Sequence, residues 1–290
     1  MRFRWDWLRP VVQVPYVPTL GPVHPSVLTH DLFTDTLIAA DTDRWFLGYD
    51  KDIRWSDTKD ESVLVEDIVH RPGETLIPTL MRRGSGMIKV HLYGVQPDAA
   101  LLPAIELARK LAAEHGTAQA RVVRFLGPES PDGQGTRIQL KDFTSGPCPP
   151  CDGPVLPFQD WPTGVRRGFA EFSQEMAADG FGFLYERMRA GRVGPVLVAV
   201  VEGNVLGAIG PMEIRPDAIG TPQLMPQYFG VRPAARGRGY GRLLWRAAMH
   251  WGQSHGTAYQ LLQTEVGGAS DRLCLSEGLM PLGYTYWQAA

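Results

Sequence analysis

The sequence predicts an α/β (α+β) chain of two domains, and three observations carry that expectation. The chain has 290 residues, room for two domains of ordinary size. A loop rich in glycine and arginine, 236–241, stands between a strand pattern and an amphipathic helix pattern. A strand, a proline turn, a helix and a second strand also occur twice, at a period of about 140 residues.

Composition narrows the functional classes. Hydrophobic residues make up 44% of the chain, ample for packed cores. The net charge of −2, with no dominant basic run, speaks against nucleic-acid binding and for small-molecule chemistry. No apolar stretch reaches membrane-spanning length, and Trp5, Trp7, Pro10, Pro15 and Pro18 interrupt any signal-like pattern, so a cytoplasmic protein is expected. Three cysteines cannot build a disulfide framework. Cys148-Pro-Pro-Cys151 resembles a redox or half-zinc motif, but no second Cys pair or Cys/His cluster lies near it. It reads as linker, and no metal is expected.

Taken in order, residues 1–25 suit an extended segment laid across a domain. Residues 44–49 and 62–69 read as short strands. A strand over 87–95 leads through Gln96-Pro97 to a helix over 98–115, with apolar residues at 101, 102, 105, 108, 111 and 112, and then to a strand over 120–126. Residues 146–152 form the linker on composition, separating a domain over 1–145 from one over 153–290. In the latter, helices over 164–178 and 182–190 precede a hairpin of 195–201 and 205–214 turning at Glu202-Gly203-Asn204. A strand over 223–231, the glycine loop and a helix with apolar residues at 243, 244, 247, 248 and 251 follow. A buried strand over 259–266, a helix over 270–276 and a strand over 281–287 complete the chain.

The loop reads Val231-Arg232-Pro233-Ala234-Ala235-Arg236-Gly237-Arg238-Gly239-Tyr240-Gly241-Arg242. Glycines allow a tight turn and close backbone approach, and the amides that open the helix have no internal partner. With the positive helix end, these donors suit a pyrophosphate, and Arg236, Arg238 and Arg242 add charge-assisted hydrogen bonds. A nucleotide P-loop would need Gly-Lys-Ser/Thr where Gly241-Arg242-Leu243 stands, and a dinucleotide loop an acidic residue about 20 residues on. A surface loop capping an amphipathic helix is the plain alternative.

With Arg236, Gly239 and Gly241 in its three defining positions, the stretch resembles the cofactor motif of the GNAT acetyltransferase superfamily, Arg/Gln-x-x-Gly-x-Gly/Ala on a strand, loop and helix. The resemblance covers about residues 153–290 and implies a mixed, mostly antiparallel sheet flanked by helices, with acetyl-CoA as cofactor. Phe229, Gly230, Val231, Arg236, Gly237, Arg238, Gly239, Tyr240, Gly241, Arg242 and Ser270 are the expected cofactor residues. Pantetheine would lie along the strand at Gln227, Phe229 and Val231.

For the base, the resemblance favours Glu265 in Thr264-Glu265-Val266, with Glu213 second. The family's usual acid, a tyrosine before a Gly-Phe pair, is Cys274 here, with Tyr284 and Tyr228 as substitutes. Gln227 stands where many members carry an acid. Glu202, Glu213, Asp217 and Glu265 could form an acidic mouth, or merely a solvated face.

The echo extends the reading to the first half. Val95-x-Pro97 answers Val231-x-Pro233, and His115-Gly116-Thr117-Ala118 answers His255-Gly256-Thr257-Ala258. Val95 to His115 spans 20 positions against 24 for Val231 to His255, and the glycine loop is missing. Residues 1–145 therefore read as a degenerate GNAT-like domain. The function implied is acetyl transfer, in a ternary complex, to a primary amine of a small molecule, an antibiotic or its precursor, with a homodimer left open. A protein N-terminus or lysine as acceptor, or a non-catalytic acyl-CoA-binding or ligand-sequestering protein, are the alternatives.

Overall fold

The computed structural model describes residues 3–41, 46–96, 98–129, 135–149, 151 and 153–290. In chain order the helices are α1 (Trp5–Leu8), α2 (His30–Asp41), α3 (Leu101–His115), α4 (Thr163–Glu175), α5 (Phe181–Arg189), α6 (Tyr240–Ser254) and α7 (Ala269–Ser276). The strands of the first half are β1 (Tyr16–Val17), β2 (Gly21–Pro22), β3 (Glu61–Val63), β4 (Val69–Arg71), β5 (Glu74–Met81), β6 (Met87–Gly94), β7 (Gln119–Leu126) and β8 (Thr136–Asp142). Those of the second are β9 (Val155–Pro157), β10 (Leu197–Val201), β11 (Asn204–Gly210), β12 (Ile214–Pro216), β13 (Pro222–Leu224), β14 (Tyr228–Val231), β15 (Tyr259–Glu265) and β16 (Met280–Ala289). Among the described residues no helix is long and apolar enough to cross a membrane.

The chain forms two compact units, Met1–Leu140 with Leu261–Ala290, and Lys141–Gln260. In the first, β6 and β7 are parallel and α3 connects them. Period-two alternation turns Ile88, Val90 and Leu92 of β6 to one side, where they are buried with Ala104, Ile105, Ala108 and Leu111 of α3. Antiparallel β5 and β3 extend the sheet on one side. On the other, β16 lies between β7 and β8, antiparallel to both. The result is the mixed, mostly antiparallel sheet that the resemblance implies.

The units do not divide at 146–152, where composition placed the boundary. Alternation marks β16 as a strand, but its partners are far away in sequence, and it completes the first unit rather than a body of 153–290. The extended reading of 1–25 gives way to α1 and the small β1–β2 pair, and α2 was not anticipated. Residues 46–49 carry no strand, while 44 and 45 lie outside the described residues, as does Pro97. The strands expected over 62–69, 205–214 and 223–231 are each broken in two.

The paired tetrapeptides adopt one geometry. Gly116 (φ 63°) and Gly256 (φ 81°) both take the left-handed conformation after a helix. The next residue then reaches back, Thr117 N–H to the Ala112 carbonyl at 3.0 Å and Thr257 N–H to the Gly252 carbonyl at 3.1 Å. Each closes a helix that leads into a strand with an earlier parallel neighbour, β7 beside β6 and β15 beside β13.

The face of β6 away from α3 is polar yet covered. Glu61 accepts hydrogen bonds from Thr79 Oγ1 at 2.6 Å and Lys89 Nζ at 3.0 Å, and His91 Nδ1 lies 3.2 Å from the Ile77 carbonyl. Burial, only partly offset by Glu61, holds His91 at about 4 against an ordinary 6.5. The unfolded chain therefore takes up this proton near pH 6.5 and the folded one only near pH 4. His91's contribution to stability is whole above the upper value and is lost as pH falls to the lower, about 3 kcal/mol in all. Urea unfolding across that window should show the decline, and His91→Gln should flatten it; an unchanged slope in the variant would assign the effect elsewhere.

Candidate active site

The second unit builds a four-stranded sheet in the order β14-β11-β10-β9. On one face Phe169, Phe172, Phe181 and Leu184 of α4 and α5 pack with Val196, Val198 and Ala208. On the other, α6 contacts β10 and β11 and buries Leu244, Trp245, Ala248 and Met249. The edge strand β14 is the useful element. It pairs with β11 alone, with Gly230 opposite Ala208, and the Arg232 amide donates to the Leu206 carbonyl at 2.8 Å. Ladder bonds alternate along a strand, so the main-chain groups of Phe229 and Val231 face the unpaired edge.

That edge is open because the preceding ladder is interrupted. β13 runs parallel to the start of β15, Gln223 opposite Tyr259 and Leu224 opposite Gln260. Pro226, with no amide to donate, then intervenes before β14 begins. A side-chain bridge follows: Gln260 Nε2 donates to Gln227 Oε1 at 2.6 Å.

Beyond β14 the chain turns through Pro233–Ala235 into the glycine loop. Gly237 (φ 77°) and Gly239 (φ 88°) are left-handed, and a Cβ on either would meet nothing within 4 Å. The backbone angle, not crowding, therefore demands glycine. α6 starts without a side-chain cap, and the amides of Gly237 to Gly241 have no main-chain acceptor among the described residues. Arg236 Nε donates to the Val231 carbonyl at 3.0 Å, folding the loop against the strand, while Arg238 and Arg242 are exposed. Oriented amides at a positive helix end next to an arginine are the elements of an anion cradle.

Cys148 and Cys151 are both held against α6. The Cys148 amide donates to Gln253 Oε1 at 2.7 Å, and Cys151 Sγ to the Leu243 carbonyl at 3.4 Å. Neither cysteine is in a disulfide. No group of residues suited to a metal ion occurs among the described residues.

The acids do not share a mouth. Glu202 lies in the β10–β11 turn, toward the Val231 end of β14. Glu213 lies toward the opposite end, its carbonyl accepting from the Met225 amide at 2.9 Å and Oε1 accepting from Arg215 Nε at 2.5 Å. Asp217 turns inward, accepting from the Ile219 and Thr221 amides and from Tyr259 Oη. It is a turn residue, which corrects its reading as part of an acidic rim.

The remaining candidates lie in the first unit. Glu265 is exposed at the end of β15, and Ser270 is exposed in the first turn of α7. Cys274 is 2% exposed, and burial, then Asp271, pushes its thiol up to about 12. Such a thiol releases its proton reluctantly, and packing replaces the acid role expected for it. Tyr284 is buried and its hydroxyl oxygen accepts from Arg137 Nη1 at 2.7 Å. Arg137 Nε also donates to Asp271 Oδ1 at 2.8 Å, and Asp271 accepts from Gln139, Thr264 and the Gly267 amide. Sequence reasoning missed this network, since nothing local links Arg137 to Asp271.

An edge strand with outward main-chain groups thus leads into an uncapped glycine loop and helix, the arrangement that the sequence motif implies. Residues 159–272 match the family model for the acetyltransferase (GNAT) family, so that this segment of the chain is a domain of that family. In fold the chain is similar to a GCN5-related N-acetyltransferase from Sphaerobacter thermophilus, at 18% identity and TM-score 0.51, over 82% of this chain and 84% of that one. It also matches a tandem GNAT protein from the clavulanic acid biosynthesis pathway, at 14% identity and TM-score 0.44, over 89% and 94% of the chains. A GCN5-related N-acetyltransferase from Kribbella flavida matches at 13% identity and TM-score 0.42, over 77% and 88%. No curated protein matches the chain.

The glutamine bridge yields a stability prediction. Gln227 Nε2 and Gln260 Oε1 are buried without a partner among the described residues, so each amide is only half satisfied. Gln260→Leu should destabilise by about 1–3 kcal/mol by leaving Gln227 stranded, while the Gln227→Leu/Gln260→Leu pair should recover most of the loss. Denaturant midpoints of the four proteins measure this, and additive losses would refute the coupling.

Proposed function

We propose that the chain is an acetyl-CoA-dependent N-acetyltransferase acting on the primary amine of a small molecule, in the direction of an antibiotic or its precursor, by direct transfer in a ternary complex. The observation that carries this reading is the continuity of the open β14 edge with the glycine loop. The Gly237 to Gly241 amides and Arg238 would hold the pyrophosphate. Phe229 and Val231 would bond the pantetheine arm through their main chain, which leaves the thioester at the Tyr228 end of β14.

The cofactor supplies an acetyl thioester; its carbon–sulfur bond breaks as a carbon–nitrogen bond forms to the amine. The amine must give up a proton and the departing sulfur must gain one. Glu265 is our choice of base, because it is exposed and its carboxylate is not tied to a neighbour among the described residues. Glu213, the second candidate, has Arg215 on one oxygen. Of the candidate acids, Tyr228 stands beside the main-chain groups that would carry the thioester. Residues 1–145 are taken as the degenerate copy, without a glycine loop and so without a cofactor.

Gly239→Val should raise the CoA dissociation constant at least a hundredfold, while the melting temperature drops only a few degrees, since strain is local and the site open. Calorimetry should also find one CoA per chain, and two would refute the degenerate reading of the first half. Glu265→Gln should lower kcat by about 10²–10⁴ at neutral pH with CoA affinity nearly unchanged. If Glu213→Gln carries that loss instead, the base assignment passes to Glu213. Tight CoA binding with no thiol release over a panel of amines would favour the non-catalytic binder.

A further inference from the structure

Thr264 and Gly267 flank Glu265, and one buried carboxylate holds them both. Asp271, in the first turn of α7, accepts from the Gly267 amide at 2.9 Å through Oδ2 and from Thr264 Oγ1 at 3.0 Å through Oδ1. Thr264 Oγ1 itself accepts from Gln139 Nε2 at 2.7 Å, so this hydroxyl is used in both directions, as a methyl could not be. From β8, Arg137 reaches the carboxylate through Nε at 2.8 Å and Nη2 at 3.3 Å, with its guanidinium 5.0 Å from the centre of the Tyr284 ring. Burial works against a charge on Asp271, but the bonds from Arg137, the Gly267 amide and Thr264 outweigh it and hold its carboxyl below the usual carboxylate range.

The turn after Glu265 needs such a hold. Gly267 and Gly268 follow Val266 directly, and glycine gives a chain its greatest freedom. Here that freedom is used up. Gly267 is left-handed (φ 73°), and the Glu265 carbonyl accepts from the Gly268 amide at 2.9 Å, so near that a Cβ on Gly268 would stand 2.9 Å from that oxygen. The Val266 amide donates to the Gly135 carbonyl at 3.0 Å. An acid in the third helical position can serve simply as a cap. A cap needs only the Gly267 amide, whereas this carboxylate also receives Arg137 and Gln139 from β8 and Thr264 from β15.

We propose that Thr264 and Asp271 are positioning residues, which fix the main chain that carries Glu265 so that its exposed carboxylate can take the amine proton. This rests on the reading of Glu265 as the base. A fully bonded buried network fixes geometry more than it adds net stability, and proton transfer depends on placement to within about 1 Å.

Thiol release from acetyl-CoA is to be followed with butylamine, glucosamine and 2-phenylethylamine. Thr264→Val keeps the shape and removes the hydroxyl; it should lower kcat about tenfold while KM for acetyl-CoA stays within about twofold, and Thr264→Ser should restore the rate. Asp271→Asn should act in the same direction, and Thr264→Val carries the test if that variant does not fold. In a Glu265→Gln background, Thr264→Val should cost less than about twofold, since no base is left to place. Exchange of the Gly267 amide, which needs no ligand, should quicken about tenfold in Thr264→Val. Equal costs in the two backgrounds, unchanged exchange, or faster exchange with unchanged kcat would overturn the proposal and leave the base assignment standing. A Glu265→Gln protein as active as the parent, or no thiol release with any of the three amines, would remove the base reading and the positioning role together.

Discussion

The site depends on one interruption of hydrogen bonding. Between Leu224, still opposite Gln260, and Tyr228, opposite Gly210 of β11, the chain passes Pro226 and its pairing with β15 ends. A continuous ladder here would satisfy the amides of Phe229 and Val231 with protein and leave no edge for an extended ligand. The break instead exposes main-chain donors and acceptors that cost little to hold in water but are aligned for a strand-like guest. The Gln227–Gln260 bridge spans the place where the ladder ends, keeping the two strands in register through side chains.

The loop after β14 works by a related economy of partners. Arg236 could have served as a free cation, yet its Nε returns to the Val231 carbonyl and ties the loop to the strand that precedes it. Arg238 remains exposed. The division of labour among the three arginines is a matter of geometry, since residue type and spacing give each the same apparent role.

Legibility in the sequence follows the range of the interaction. The glycine loop could be read because left-handed angles at Gly237 and Gly239, uncapped amides and helix start are all local consequences of residue type. The matched tetrapeptides were local too, and both proved to be helix ends of one geometry. What could not be read was partnership. Tyr284 alternates as a strand residue should, but only the pairing of β16 with β7 and β8 reveals that its hydroxyl meets Arg137. Asp217 has the composition of a surface acid, and only the return of Thr221 and Tyr259 onto its carboxylate makes it a turn residue. Cys274 filled a motif position by counting, whereas burial decides its chemistry.

The two helix units show which part of such a motif is structural and which is chemical. In α3 the entry is Ala100, with no side-chain cap, no run of glycines and a span shorter than that of α6; the exit at Gly116 matches the exit at Gly256. The exit has to be kept for packing, because it returns the chain to a strand parallel to an earlier one and sets the helix on the sheet. The entry has no such duty. Among the described residues the start of α3 has no left-handed turns to aim amides outward, yet Ala104, Ala108 and Leu111 are buried against β6. A helix can therefore pack on its sheet without an anion cradle at its start, and the packing of α3 carries no implication of cofactor binding.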